Sequence, residues 1–211
     1  MKIQPDTTFE QALWSGGVTL VAGVDEAGRG AWAGPVAAGA VILPLRPDLV
    51  ECLPGVRDSK QMTALQRARW AVKIRSLACA WGVGFSSAEE IDALGILPAT
   101  RLAMRRAIEQ LSPAPQHLLV DAVRLRELDL PQQALIKGDA RVLSIAAASV
   151  LAKTARDALM IELDGCYPGY SLARHKGYGT AAHRAAVQRL GPCAIHRRSY
   201  APIRAYLLSH V

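Results

Sequence analysis

Two adjacent carboxylates, Asp25 and Glu26, close an apolar run from Val18 to Val24, and Gly28-Arg29-Gly30 follows at once. A second apolar run, His117 to Val120, also ends in a carboxylate, Asp121. A further acid, Asp139, follows Lys137-Gly138 just ahead of a long Ala-rich stretch. A carboxylate at the end of a buried strand shifts its pKa or finds a cation. Neighbouring acids repel each other, so a bound divalent metal answers both demands. The ordinary setting for an Asp-Glu pair is a solvated hairpin tip. Gly28 and Gly30 argue for a site instead, because glycine adopts positive φ and lets another molecule approach the main chain closely.

Strands must carry these acids to one place. Apolar runs at 18–24 and 36–43 have strand length and composition. ACAWGVGF at 78–85, 117–120 and 134–136 supply three more. If the strand before Asp121 lies parallel to and beside the strand before Asp25, the two acids become neighbours. Capping-box spacing starts a helix at Thr63, running to Leu77, and a short one at Ser87, ending at Gly95. Pro98 stands in the first turn of a helix that runs to Leu111. Its Arg101, Arg105 and Arg106 read as a solvated face. The Ala-rich stretch predicts a helix over 142–164, close-packed on the sheet. Asp157 lies on it, 18 positions after Asp139, or roughly 27 Å along a continuous helix. It cannot share a metal with Asp139 and reads as a structural partner of Lys153 or of a nearby Arg.

Residues 1–17 read as a leader with a helical turn around Phe9–Trp14. Beyond Gly165 the chain becomes short and turn-rich, with helices at 181–190 and 202–209. This tail carries Arg174, His175, Lys176, His183, Arg184, Arg189, His196, Arg197 and Arg198, with Tyr170, Tyr178 and Tyr200 between them. Basic residues interleaved with aromatics suit contacts to a nucleic-acid backbone and its sugars.

The chain has 211 residues, half of them hydrophobic, enough for one large domain or one domain with a small appendage. A formal charge of +7 favours a polyanionic partner, nucleic acid first. The four cysteines are scattered, with no zinc or redox spacing, as in a reducing compartment. The first residues lack a signal-peptide layout, and the longest apolar stretch is too short and too broken to span a bilayer. A cytoplasmic monomer, free of any membrane, is the expected setting.

GVDEAGRG (23–30), AGPV (33–36), DSK (58–60), LLVD (118–121), KGD (137–139), SIAAASVLAK (144–153), HKGYGT (175–180) and IHRRSY (195–200) together resemble ribonuclease HII, in order over nearly the whole chain. The resemblance implies an α/β fold: a ribonuclease H-like mixed five-stranded sheet flanked by helices over 18–164, with a small helical substrate-binding part over 165–211. It implies an endoribonuclease that cuts the RNA strand of RNA–DNA hybrids and single ribonucleotides embedded in duplex DNA, leaving 3′-hydroxyl and 5′-phosphate ends. Asp25, Glu26, Asp121 and Asp139 correspond to the family's four acids, which hold two Mg²⁺ or Mn²⁺ ions, with Asp25 expected to bridge them. Gly28, Arg29 and Gly30 resemble the turn that senses the 2′-hydroxyl, and Tyr178 the tyrosine that packs on the sugar beside the cleaved junction. Lys60, Lys137 and Arg29 are candidates for phosphate contacts. Two departures stand out. Ala122 occupies a position where the family commonly has Gly, and Ala31-Trp32 replaces a common small or Pro–Leu pair.

Two other readings follow from the same residues. A junction resolvase on the same fold would share the carboxylates without needing a ribose-sensing turn. A basic binding module would explain the charge but not two strands ending in acids. The related ribonuclease HIII carries an extra N-terminal domain, for which 17 residues are few.

Overall fold

In the computed structural model, which describes residues 4–210, the first two apolar runs pair as a hairpin. β1 (Val21–Ala27) and β2 (Val36–Ile42) are antiparallel, and β3 (Ala80–Ser86) pairs antiparallel with β2. β4 (His117–Asp121) lies parallel to β1, and β5 (Gln132–Leu135) parallel to β4. The order β3-β2-β1-β4-β5 is the expected mixed five-stranded sheet, with β1 at its centre. Val24 pairs with Val120, which makes Asp25 and Asp121, the next residue of each strand, neighbours.

β1 starts three residues later than its apolar run and continues through both acids. The Gln116 side chain takes the main-chain N–H groups of Thr19 and Leu20 at 2.9 and 3.0 Å, which keeps them out of the ladder. At the other end, pairing with β2 persists to Ala27 opposite Ala37. Asp25 and Glu26 therefore sit in a hydrogen-bonded strand, held more rigidly than on a loop. β5 lies two residues upstream of the apolar segment at its start, because its parallel register sets Gln132 opposite Leu118.

The helices are α1 (Thr8–Ser15), α2 (Leu49–Cys52), α3 (Ala64–Leu77), α4 (Ala88–Leu94), α5 (Ile96–Ile108), α6 (Leu143–Cys166), α7 (Leu172–His175), α8 (Ala181–Leu190) and α9 (Ala201–Ser209). Both expected capping boxes form, Thr63 with Gln66 and Ser87 with Glu90, each worth about 1 kcal/mol. The long helix α6 crosses the middle of the sheet, and two glycines let it come close. A Cβ on Gly23 would overlap the main chain at Ser144, and one on Gly39 would overlap the Ala148 carbonyl. Ala146, Ala147 and Ala148 complete this thin seam, with α3 packed outside it. α5 covers the opposite face through Ala99, Ala103, Met104 and Ala107. Its arginines are paired: Arg106 grips the Glu90 carboxylate at 2.7 and 2.9 Å, holding that acid down to about 2, while Arg105 meets Glu109 and Arg101 meets Glu127.

The N-terminal segment fastens the start of α6. Glu10, fully buried, accepts the Ser144 N–H at 2.9 Å, and Asp6 forms a parallel bridge with Val142. Past α6, the chain folds back as α7–α9 around Met160, Tyr170, Leu172, Val187 and Ile203, a cluster that also takes in Ala33. This part departs from the sequence expectation. His175, His183, His196 and Arg197 are buried, not displayed to a polyanion. Their side chains satisfy main-chain groups of tight turns that have no ladder of their own. Arg174, Arg184, Arg189 and Arg198 remain exposed. All four cysteines are free. Among the described residues, no helix is long and apolar enough to cross a membrane.

Candidate active site

Asp25, Glu26 and Asp121 offer carboxylate oxygens that all lie within 4.8 Å of one another. Asp25 and Asp121 are positioned by main chain. The Glu26 N–H donates to Asp25 Oδ1 at 2.7 Å, and the Gly138 N–H donates to Asp121 Oδ1 at 2.7 Å. That second bond ties Asp121 to the turn carrying Asp139. Asp139 lies outside the 4.8 Å group but near enough for its charge to act on Asp25.

Burial, then the charges of Glu26 and Asp121, push the Asp25 carboxyl well above its usual range, against a hydrogen bond from Ser149. Burial also raises Glu26, although Arg29 donates to its Oε1 at 3.1 Å. Asp139 is raised to about 6 by burial, with Asp58 and Asp121 adding to it. The Lys60 ammonium is pulled down by burial, but Asp25, Asp58, Asp139 and Glu26 outweigh that and raise it. Clustered oxygen donors, mutual repulsion and a buried Glu26 Oε2 without a hydrogen-bond partner form the donor set that hard divalent cations such as Mg²⁺ and Mn²⁺ occupy. The residues fit such an ion.

Beside the acids opens a cleft lined by Glu26, Gly28, Arg29, Gly30, Ser59, Lys60, Lys153 and Tyr178. Of the residues expected to touch substrate, only Lys137 does not line it. Lys137 is exposed, at the left-handed position ahead of Asp139. The two glycines of the turn differ. Gly28 has φ +94° and is packed against Arg156. Gly30 does not have the positive φ expected of it, and a Cβ there would meet nothing within 4 Å.

Two fully buried arginines hold the turn from behind, and neither has a carboxylate partner among the described residues. Arg156 donates to the carbonyls of Pro35 (2.8 Å), Lys176 (2.9 Å) and Ala33 (3.1 Å). Arg197 donates to Gly34 (3.0 Å) and Arg29 (2.8 Å), and the Tyr200 hydroxyl also donates to the Arg29 carbonyl. Burial brings the Arg156 guanidinium down to about 10. Trp32 lies against Gly179, where a Cβ would overlap its ring, and under the Arg184 guanidinium, 5.6 Å from the ring centroid. That packing accounts for a large side chain after the turn.

Sequence reasoning missed Ser149, Lys153, Arg156 and Arg197. Ser149 reaches both Asp25 and the Ser59 hydroxyl, the latter at 2.9 Å. Lys153 stands 5.4 Å from the Tyr178 ring centroid and 2.7 Å from Asp157, which also takes Arg67 at 3.1 Å. The structural role expected for Asp157 is thus seen. The available signal was the spacing 149, 153, 156 on the long helix, one polar stripe at helical period.

A family model described as Ribonuclease HII matches residues 22–203. Ribonuclease HII of Anaeromyxobacter sp. (strain Fw109-5) is 55% identical over 94% of this chain, which spans 62% of that relative's length. Ribonuclease HII of Synechococcus sp. (strain JA-3-3Ab) is 54% identical over 96% of this chain and 90% of its own. The crystal structure of ribonuclease H2 from Pyrococcus horikoshii OT3 superposes with a TM-score of 0.74 at 26% identity, covering 90% of this chain and 97% of its own. With matches of this identity over almost its whole length, the chain belongs to the ribonuclease HII family and is a metal-dependent ribonuclease H.

Proposed function

We propose that the chain is an endonuclease that hydrolyses the RNA strand of RNA–DNA hybrids and cuts at single ribonucleotides embedded in duplex DNA, leaving 3′-hydroxyl and 5′-phosphate ends. The observation that carries this reading is the junction of the acidic cluster and the Gly28–Gly30 turn, which share Glu26 within one cleft. Asp25, Glu26, Asp121 and Asp139 would hold two Mg²⁺ or Mn²⁺ ions. When bound, such ions supply the positive charge that activates water and stabilises a leaving oxygen. Asp25, the most buried of the three clustered acids, would lie at the centre of the residues that hold them.

The chain's own residues select the bond. The 2′-hydroxyl is the local difference between RNA and DNA. The open space beside Gly30 admits it to the main chain, where a side chain would intrude. Arg197 and Tyr200 fix the turn by occupying the Arg29 carbonyl from within. Tyr178, across the cleft, packs on the neighbouring sugar, and Lys60 meets a phosphate. The free thiols suit a reducing compartment such as the cytoplasm.

The test is a labelled DNA duplex holding one ribonucleotide, incubated with Mg²⁺, with EDTA, and with Asp25→Asn protein. A single Mg²⁺-dependent cut 5′ to the ribonucleotide, absent with the variant, is expected. Tight binding without cleavage would leave a binding module, and cleavage of all-DNA junctions would point to a resolvase.

A further inference from the structure

Two buried imidazoles face each other in the C-terminal part, on residues that the acidic chemistry does not use. His183 Nε2 and His196 Nε2 are 3.0 Å apart, and both side chains are essentially inaccessible to solvent. Their protonation is dictated from both ends. The Cys193 main-chain N–H can only donate, and it points at His196 Nδ1 from 3.0 Å. His196 therefore carries its proton on Nε2 and donates to His183 Nε2. That leaves the His183 proton on Nδ1, which lies 3.0 Å from the Tyr178 carbonyl, a group that can only accept. Every step is satisfied with both rings neutral, and any other tautomer sets two N–H groups, or two lone pairs, head to head. Burial agrees, holding both imidazoles down to about 4. His175 stacks on His183 with centroids 4.3 Å apart, and its own nitrogens serve Gly177 and Tyr170.

The relay ends on the residue proposed to pack on the substrate sugar. We infer that His183 and His196 are positioning residues for Tyr178: they carry the fixed geometry of the 193–197 turn through two rings into the Tyr178 main chain, and so set the ring against the cleft. The Tyr178 carbonyl has one other donor, the Thr180 N–H at 2.8 Å, within the same turn. The relay ties this carbonyl to the 193–197 segment, in addition to the antiparallel bridge between Tyr178 and Ala31 and the Trp32 N–H on the Gly177 carbonyl. It works beside the cation side, where Lys153 and Arg156 stand 5.4 and 5.5 Å from the Tyr178 ring. This inference rests on the function proposed above.

A double-mutant cycle on the single-ribonucleotide duplex tests it. His183→Leu should lower kcat/KM about tenfold, and His196→Leu by a similar factor. Neither should lower it further in a Tyr178→Ala background, since the residue they position is gone. His183→Asn keeps a donor at the Nδ1 position, and His196→Gln keeps one at Nε2. Both should recover most of the loss. Long-range ¹H–¹⁵N spectra of the unmodified protein supply a readout independent of variant folding, with His183 expected as the Nδ1–H tautomer and His196 as the Nε2–H tautomer. His183 protonated at Nε2 would overturn the relay, as would equal losses in the presence and absence of the Tyr178 ring. Failure of the unmodified protein to cut the duplex would overturn the proposed function and this inference with it. Cleavage with additive losses would overturn the positioning role alone.

Discussion

Gly28 and Arg156 occupy adjoining space: a Cβ at position 28 would overlap the guanidinium Nε that donates to the Pro35 carbonyl. Gly28→Ala therefore meets both a positive φ and a buried, hydrogen-bonded cation. It should cost more than about 2 kcal/mol, seen as a lower urea midpoint. Gly30→Ala meets neither obstacle. It should leave the midpoint unchanged while lowering cleavage of an embedded ribonucleotide by tenfold or more, since only an approaching substrate fills that space. Full activity of Gly30→Ala would show that the turn does not read the 2′-hydroxyl.

Ala122 follows a site acid with φ 51°, a left-handed conformation that costs an L-residue about 1 kcal/mol. Its side chain is exposed, so nothing in its packing offsets that cost. Ala122→Gly should raise stability by up to about 1 kcal/mol and leave cleavage within twofold. A lower urea midpoint would mean that the loop is not held in this conformation in solution.

Asp139, raised to about 6 from an ordinary 3.8, gains a proton more readily folded than unfolded. In EDTA its contribution to stability is present at low pH and is lost as pH rises through 6. Asp139→Asn should then be the more stable protein at pH 7.5 by on the order of 2 kcal/mol, with the gap closing near pH 4. His183 and His196, held low, act with the opposite sign over that window. They cancel in a comparison of the two proteins. Saturating Mg²⁺ should shrink or reverse the gap by stabilising the unmodified site. Equal thermal midpoints in EDTA at pH 7.5 would contradict the raised carboxyl.

Lys60 lines the cleft and Lys137 does not. Substitution of Lys60 by Ala should lower the slope of log affinity against log salt on a hybrid duplex by about one. Substitution of Lys137 should leave it near the original. Equal changes would place the nucleic acid across both lysines.

Asp25, Glu26 and Asp121 stood out in the sequence because an apolar run ending in a carboxylate marks a strand end, and the two runs would bring them together if parallel, as β1 and β4 are; Asp139 stood out only through the resemblance. Strand and helix positions followed from apolar runs and capping-box spacing, whereas the mixed five-stranded sheet was what the resemblance to ribonuclease HII implied. What stayed hidden was the inner support. Arg197, His183 and His196 read as surface charge and Arg156 drew no reading, because burial of such groups depends on main-chain carbonyls brought together from distant segments. Arg156 alone bridges Pro35 and Lys176. Gly30 was misjudged for a related reason: a glycine required by a ligand and one required by a turn look alike until φ is known.

The parallel pairing of β4 with β1 also has a kinetic side. These strands are separated by nearly a hundred residues, whereas β1 and β2 close as a local hairpin. Joining distant segments is the slow kind of event in chain assembly. Here the same event drives Asp121 against Asp25 and Glu26, so like charges meet as the two strands pair. A divalent cation present during refolding should speed that closure, and the gain should shrink in Asp121→Asn. The acidic pocket would then be a brake on its own construction, released by the ion it is built to receive.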